Sequence, residues 1–365
     1  MSGDREGRVR ILFISSRADP GGGPEHLQRL LEGLSPDVDA WVACPDEPPY
    51  AARFASLPRV RGMVHIAHRA FRPSDLWALC AVIRREGIGI VHSHGKGAGL
   101  LGRPAAFLSG IPCVHTFHGV HMGQYGRFKA WLYTRYERLM GRLTARGIAV
   151  SDGERDRLLE LGFLRPDRLA LVNNGVVIPP RPVEPPAEDR RLDVVVVSRF
   201  DFQKNTGAVL GIMERLEAMG VLGRFRFLFV GDGEERAEIE RTATERWRDA
   251  CRFTGFVDSI GRHLETAFCC LSTSRWEGMP LAVLEAMSFG LPVVATDVIG
   301  NRDAVANPDL LFPLGDSIRA AGILSDLAGS AAWWQECGGR NRERVAQQYS
   351  VGRMVAETEA IYKCL

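Results

Sequence analysis

The sequence predicts an α/β protein of two doubly wound, Rossmann-like domains. Three observations carry that prediction: a length of 365 residues, short apolar runs alternating with helical stretches from end to end, and a proline-rich segment near the middle. A single core rarely grows past ~250–300 residues, and ~100–200 residues per domain is the usual range, so the length asks for two cores.

The first unit opens on the buried-strand run V-R-I-L-F-I-S at 9–15. A glycine-containing loop follows, and then Leu27, Leu30, Leu31 and Leu34 recur at helical spacing. Further apolar runs at 38–43, 88–92, 111–115 and 147–150 alternate with helical stretches near 74–86, 97–108, 126–146 and 153–161, as in a parallel sheet covered on both faces. Residues 178–186 hold five prolines. Proline cannot donate to a ladder and stiffens an extended chain, so a linker belongs there.

A second α/β pattern begins with V-V-V-V at 194–197 and continues with strands near 225–230, 251–254, 268–272 and 292–295. The last helical stretch, about 330–363, exceeds what that domain needs. The expected boundaries are a first Rossmann-like domain at 1–177, a linker at 178–190, a second Rossmann-like domain at 191–345, and a C-terminal helix at 346–365 crossing back onto the first domain. In open parallel sheets ligands sit beyond the carboxyl ends of the strands, so two such domains are expected to face each other across a cleft.

Composition sets limits on partners. The hydrophobic share of 45% and charged share of 25% are those of an ordinary soluble protein. Residues 1–175 carry 24 Lys+Arg against 17 Asp+Glu, whereas residues 176–365 carry 22 against 27, so the first half is the basic one. That moderate excess could face phosphates, an anionic membrane surface or solvent alone; charge by itself names no partner, and no nucleic acid is expected.

The eight cysteines form no C-x-x-C pair and read as reduced thiols. The start MSGDREGRVR has no apolar core of a signal peptide, and no apolar run approaches a membrane span. A cytoplasmic protein is expected, peripheral to the inner face of the membrane if it meets a membrane at all.

Candidate site residues follow strands. E-G-M-P-L-A-V-L-E-A-M-S-F-G at 277–290 comes directly after the run F-C-C-L-S, with Glu277 in the loop and Glu285 along a helix starting near Pro280. The first-turn amides of such a helix suit a phosphate or sugar hydroxyls. S-R-F-D-F-Q-K-N at 198–205 places Arg199 and Lys204 just after the V-V-V-V strand, and D-P-G-G-G-P-E-H at 19–26 places Gly22 and Gly23 at a helix start.

Neither that loop nor Gly231-Asp232-Gly233 completes a G-x-G-x-x-G, which argues against a nicotinamide enzyme; Gly95-Lys96-Gly97 is no Walker loop. His92 and His94 form an H-x-H, but no third ligand at metal spacing accompanies them, so no metal is expected. Asp37-Val38-Asp39 precedes a strand and reads as a solvated turn. Residues 125–143 mix basic side chains with aromatics at helical spacing, which fits a helix with a basic solvent face and equally one lying on anionic lipid.

The segment at 277–290, with L-P-V-V-A-T-D-V-I-G-N after it, resembles the two-glutamate motif of glycosyltransferase family 4, and the resemblance covers nearly the whole chain. It implies the GT-B architecture, transfer from a nucleotide-diphosphate sugar (a UDP- or GDP-sugar) to an acceptor hydroxyl with retained anomeric configuration, and no cofactor or metal. It further implies Glu277 on the donor sugar hydroxyls and Glu285 on the ribose. Arg199 and Lys204 fall on the diphosphate, and the backbone of Gly278, Met279 and Leu281 lines the sugar and phosphate site, although Pro280 has no amide to offer. T-F-H-G at 116–119 resembles the acceptor-domain loop, implying His118 near the reacting sugar carbon, with Gly22 and Gly23 facing the donor diphosphate or the acceptor.

The pattern departs at Val298-Ile299-Gly300, where a Gly-Gly pair is more usual. The acceptor implied is lipid-linked or a saccharide, as in bacterial cell-surface polysaccharide or glycolipid synthesis. Two rivals fit the same architecture: a nucleotide-sugar 2-epimerase and a non-catalytic nucleotide-sugar binder.

Overall fold

The computed structural model describes residues 8–123, 125–187 and 190–365. The charged start at 1–7 and residues 188–189 of the expected linker lie outside the described residues. Two compact units result, one built from Met1–Gly175 with Val351–Leu365 and the other from Val176–Ser350.

The first unit runs β1 (Val9–Ser15), α1 (Gly22–Gly33), β2 (Val38–Cys44), α2 (Tyr50–Ala55), β3 (Val60–His65), α3 (Pro73–Glu86), β4 (Ile90–His94), α4 (Gly95–Ser109), β5 (Cys113–Thr116), α5 (Arg127–Arg142), β6 (Arg146–Ala149), α6 (Asp152–Glu160) and β7 (Leu169–Leu171). Its seven strands are parallel in the order β3-β2-β1-β4-β5-β6-β7. The direction of winding therefore reverses between β1 and β4, the point at which such sheets hold ligands.

One face of this sheet buries Phe13, Leu27, Leu30, Leu31 and Val42, and the other buries Leu12, Ile14, Leu79, Val91 and Leu101. Burial on both faces is why the strands read as unbroken apolar runs. Strands β3 and β7 carry no clear apolar run in the sequence, because β3 is a partly exposed edge strand and β7 is only three residues long.

The second unit runs β8 (Leu192–Val197), α7 (Ala208–Ala218), β9 (Phe225–Val230), α8 (Arg236–Trp247), β10 (Cys251–Gly255), α9 (Gly261–Leu264), β11 (Cys269–Ser272), α10 (Leu281–Ser288), β12 (Val293–Thr296), α11 (Ile299–Val305), β13 (Leu311–Phe312), α12 (Ser317–Gly329) and α13 (Ala331–Gln348). Its parallel order is β10-β9-β8-β11-β12-β13, with the reversal between β8 and β11. The two-residue β13 has no periodicity to announce it.

The single long terminal helix expected at 330–363 is two helices, because the chain breaks at Tyr349 and Ser350 before α14 (Val351–Lys363). There the Tyr349 carbonyl accepts from the Val176 amide at 2.8 Å, a bond that an uninterrupted helix would deny it. Helix α14 belongs to the first unit, where Met354, Val355 and Tyr362 join the core beneath α1.

All eight cysteines are free, seven of them buried. Among the described residues, no helix is long and apolar enough to cross a membrane.

Candidate functional site

In the second unit, the loops after β8 and β11 interlock. The Asn205 side-chain amide donates to the Thr273 carbonyl at 3.1 Å, and the Thr273 hydroxyl donates back to the Asn205 carbonyl at 3.0 Å. The Gln203 side chain donates to the Trp276 carbonyl at 3.1 Å. This stitching brings together two residues 73 apart in sequence: Lys204 Nζ donates to Glu277 Oε1 at 2.6 Å, with the two side chains only 19% and 8% exposed. The Ser274 hydroxyl donates to the same Glu277 oxygen at 2.6 Å, so the carboxylate is held from two sides.

Ser274 is itself fixed, since its carbonyl accepts from the Thr296 hydroxyl at 2.6 Å, and Asn301 Nδ2 donates to Thr296 Oγ1 at 3.1 Å. Asn301, for which the sequence suggests no role, therefore stands at the far end of a hydrogen-bonded chain that ends on Glu277. Ser274, Thr296 and Asn301 escape sequence reasoning because nothing in their spacing marks a support.

Arg199 does not stand beside Lys204 as a free cation pair. It donates to Gln203 Oε1 at 2.9 Å and pairs with Asp201 at 3.2 Å. Its loop is pressed tightly against Gly231 and Gly233, where an added Cβ would lie 1.9 Å from the Ser198 carbonyl oxygen and 2.6 Å from that of Arg199. Gly231-Asp232-Gly233 thus supports the cation loop and does not form a dinucleotide fingerprint.

Gly300 has a similar duty. A Cβ there would come within 2.5 Å of the Gly278 carbonyl oxygen, so only glycine lets the start of α11 approach the Glu277–Gly278 turn. That requirement survives the departure at Val298 and Ile299.

Helix α10 starts with Pro280 as its N-cap. Gly278, Met279 and Leu281 are buried at that end, and Glu285 lies half-buried one turn on. Burial pushes the Cys270 thiol in β11 up to about 12; Lys204 opposes the rise and Glu285 adds to it, which puts both charges within electrostatic reach of one point.

The first unit gathers its histidines at the carboxyl edge of the sheet. His26 comes from α1, which begins at Gly22, so Gly22 and Gly23 are its first turn and not a loop before it. His94 ends β4 and His118 follows β5. His94 Nδ1 and His118 Nε2 are 3.3 Å apart, and the His26 and His118 rings meet edge to face at 4.6 Å.

Burial lowers the pKa of His26, His94 and His115 well below 6.5, that of His118 to about 4 and that of His92 to about 3, so all five rings are neutral near pH 7. The H-x-H pair divides its labour. His92 is fully engaged, with Tyr362 Oη at 2.6 Å and Thr116 Oγ1 at 2.8 Å, whereas His94 turns to His26 and His118.

His118 adopts a positive φ of 60°, a conformation that costs a non-glycine residue ~1–3 kcal/mol and so calls for support. Glu154 supplies it, accepting from the Gly119 amide and, at 2.8 Å, from the Val150 amide. The signal was present in S-D-G-E at 151–154, a capping box in which Ser151 Oγ accepts from the Glu154 amide at 3.2 Å.

The solvated turn expected at Asp37-Val38-Asp39 is instead, from Val38 on, the start of β2, where Asp39, only 15% exposed, pairs with Arg61 at 2.8 Å and Arg8 at 3.5 Å. Helix α5 buries Glu137, Met140 and Gly141 while leaving Phe128, Trp131, Leu132 and Leu139 exposed. Inside, Arg103 and Glu137 form a two-pronged ion pair at 2.7 and 3.2 Å, fully buried, that ties α4 to α5.

Comparison with known proteins bears on the whole chain. Residues 20–178 match the family model described as Glycosyltransferase Family 4, and residues 191–328 match that described as Glycosyl transferases group 1. The 2-deoxystreptamine glucosyltransferase of Streptomyces kanamyceticus is 31% identical over 72% of this chain and 74% of its own length. The Escherichia coli UDP-Gal:alpha-D-GlcNAc-diphosphoundecaprenol alpha-1,3-galactosyltransferase is 27% identical over 247 residues, 64% of either protein, so the chain spans just under two thirds of that relative. Among solved structures, Anabaena Alr3699/HepE in complex with UDP and glucose superposes with a TM-score of 0.82 at 16% identity, covering 98% of this chain and all of that one.

Proposed function

This chain belongs to glycosyltransferase family 4, and from that premise we propose that it transfers a sugar, with retained configuration and without a metal, from a uridine diphosphate donor to a hydroxyl of a lipid-linked or saccharide acceptor. The observation that carries this reading is the Lys204–Glu277 contact in a shell of fixed hydrogen bonds at the switch point of the second sheet. A cation held at the site before reaction stabilises developing charge with no reorganisation cost.

The reading assigns the donor to the second unit. Lys204, Arg199 and the first-turn amides of α10 take the diphosphate, Glu277 takes the sugar hydroxyls and Glu285 the ribose. As the C1–O bond breaks, its electron pair leaves with the diphosphate. The acceptor oxygen bonds to C1 on the same face, and its proton passes to the departing phosphate oxygen. The first unit is assigned to the acceptor, with His118 toward the reacting carbon and Gly22 and Gly23 presenting the first amides of α1.

The preference for uridine follows the HepE complex and the galactosyltransferase. Both named relatives are described as sugar transferases, which favours transfer over epimerisation, and the diphosphoundecaprenol acceptor in the galactosyltransferase's name supports a role in cell-surface polysaccharide or glycolipid synthesis. Docking of α5 on an anionic membrane at the inner face is part of the same proposal, supported by the exposed Phe128, Trp131 and Leu132 beside Arg135.

Thermal-shift titration with UDP- and GDP-sugars tests the donor, because a ligand that binds only the folded state raises the melting point by mass action. Transfer assayed in excess EDTA tests the metal-free claim. A shift with GDP-sugars alone would overturn the uridine assignment, and turnover abolished by EDTA and restored by manganese would overturn the metal-free one.

A further inference from the structure

We propose that Lys96 and Lys129, gathered around the ring of Tyr125, bind the diphosphate of a lipid-linked acceptor. The proposal rests on the assignment of the first unit to the acceptor and adds to it the chemical group by which that acceptor is held.

Lys96 lies in the first turn of α4, two residues beyond His94, in the Gly95-Lys96-Gly97 segment that forms no Walker loop. Its ammonium sits 3.7 Å from the centre of the Tyr133 ring and 4.4 Å from that of Tyr125, and it donates to Tyr125 Oη. Lys129, in the first turn of α5, comes within 4.7 Å of the same Tyr125 ring. The aromatic platform is fixed: Tyr125 and Tyr133 meet edge to face at 5.9 Å, and the Tyr125 amide donates to the Met122 carbonyl at 2.9 Å.

Both positions are electrostatically unfavourable for a cation, because a helix N-terminus carries partial positive charge. Neither α4 nor α5 has an acidic residue in its first turn or a side-chain hydrogen bond at its N-cap. Among the described residues, no carboxylate pairs with either lysine. Two ammonium groups over one ring therefore repel each other until an anion comes between them, and local rules are broken in this way where a ligand compensates. A diphosphate fits: it brings several negative oxygens, and an ammonium offers three donors, of which Lys96 spends one on Tyr125.

The same turn of α5 says what the diphosphate is attached to. Phe128 and Trp131, 75% and 56% exposed, stack with ring centres 6.0 Å apart on either side of Lys129 in the sequence. They offer an apolar surface to a hydrocarbon chain beside the cations, which a nucleotide or a sugar phosphate would leave unused.

The test uses the full chain, first saturated with UDP so that Lys204 and Arg199 are occupied. Calorimetry then follows titration with farnesyl diphosphate below its micelle concentration, with farnesol, and with inorganic pyrophosphate. One farnesyl diphosphate should bind per chain, more tightly than either fragment. Lys96→Gln and Lys129→Gln should each weaken that binding about tenfold, the loss expected for one hydrogen bond to a charged group, and leave UDP binding unchanged. Lys363→Gln, the same charge change in α14, should alter neither.

Binding of farnesyl diphosphate that survives both lysine changes would overturn the site while leaving a lipid-linked acceptor standing, whereas no binding by the wild type would remove both. Pyrophosphate bound as tightly as farnesyl diphosphate would reduce the site to a general anion site, and farnesol bound as tightly would reduce it to an apolar contact; either result overturns the proposal.

Discussion

Replacing Lys204 separates a catalytic cation from a merely structural one. Its Nζ lies 2.6 Å from Glu277 Oε1, and the carboxylate, 8% exposed, keeps Ser274 as a second hydrogen-bond donor at 2.6 Å. Lys204→Ala therefore removes a charge assigned to the leaving diphosphate and also leaves a nearly buried carboxylate short of its counterion. The first effect, by analogy with loss of one preorganised oxyanion donor, should cost about 2–4 kcal/mol of transition-state stabilisation, roughly 30- to 1,000-fold in kcat/KM.

The second effect should appear as a lower melting temperature. A double-mutant cycle divides them. Glu277→Gln removes the stranded charge, so the double variant Lys204→Ala/Glu277→Gln should regain melting temperature over Lys204→Ala while gaining no activity. Steady-state transfer and thermal unfolding of all four proteins give the answer. If the double variant returned to within about threefold of wild-type kcat/KM, Lys204 would be only the counterion of Glu277 and the catalytic assignment would fail.

Glu285→Ala should weaken binding of the free nucleoside diphosphate, whereas Glu277→Ala should leave it nearly intact and depress transfer; calorimetry showing equal weakening by both would refute the division of roles. Glu137→Ala strands the fully buried Arg103 and should destabilise the first unit by about 3–5 kcal/mol in denaturant unfolding, and a loss under 1 kcal/mol would show that the pair is solvated. The wild-type protein should sediment with vesicles containing anionic lipid at low salt and be released by salt or by changing Arg135, Arg138 and Arg142 together to Ser, each arginine contributing roughly 1 kcal/mol; a protein that stays in the supernatant at low salt would discard membrane docking by α5.

Much of the fold is legible because buried parallel strands declare themselves as apolar runs, and the two reversals of strand order are the points at which sheets of this kind generally hold ligands. Edge and very short strands are not legible, since β3 is half solvated and β13 has two residues. The donor-side candidates were readable as residue types after strands, but their partners were not. That Lys204 meets Glu277, and that Arg199 turns to Asp201, depends on how the loops at 199–205 and 273–277 interlock through Gln203, Asn205 and Thr273. The H-x-H at 92–94 shows how little a short motif says about partners. Side chains two apart share a face of a strand, which draws attention to the pair, yet His94's partners come from α1 and from the turn after β5.

The two candidate sites differ in how their polar groups are satisfied. Around Glu277 one carboxylate oxygen is held before any ligand arrives: Lys204 and Ser274 donate to it, and the Thr296 hydroxyl holds Ser274 in turn, although Asn301 Oδ1 at the far end of that chain has no partner. That is the condition under which a charge acts without reorganising, and it is why substitutions there should register mainly in rate. Around His118 the contacts are incomplete: two buried imidazole nitrogens lack partners, and the loop carries a strained backbone angle that Glu154 must hold. An arrangement of that kind lowers stability until something binds, because each unmet buried nitrogen costs ~1–3 kcal/mol. A hydroxyl group that reaches those imidazole nitrogens should therefore stabilise the first unit by more than a contact made at the carboxylate oxygen that Lys204 and Ser274 already hold.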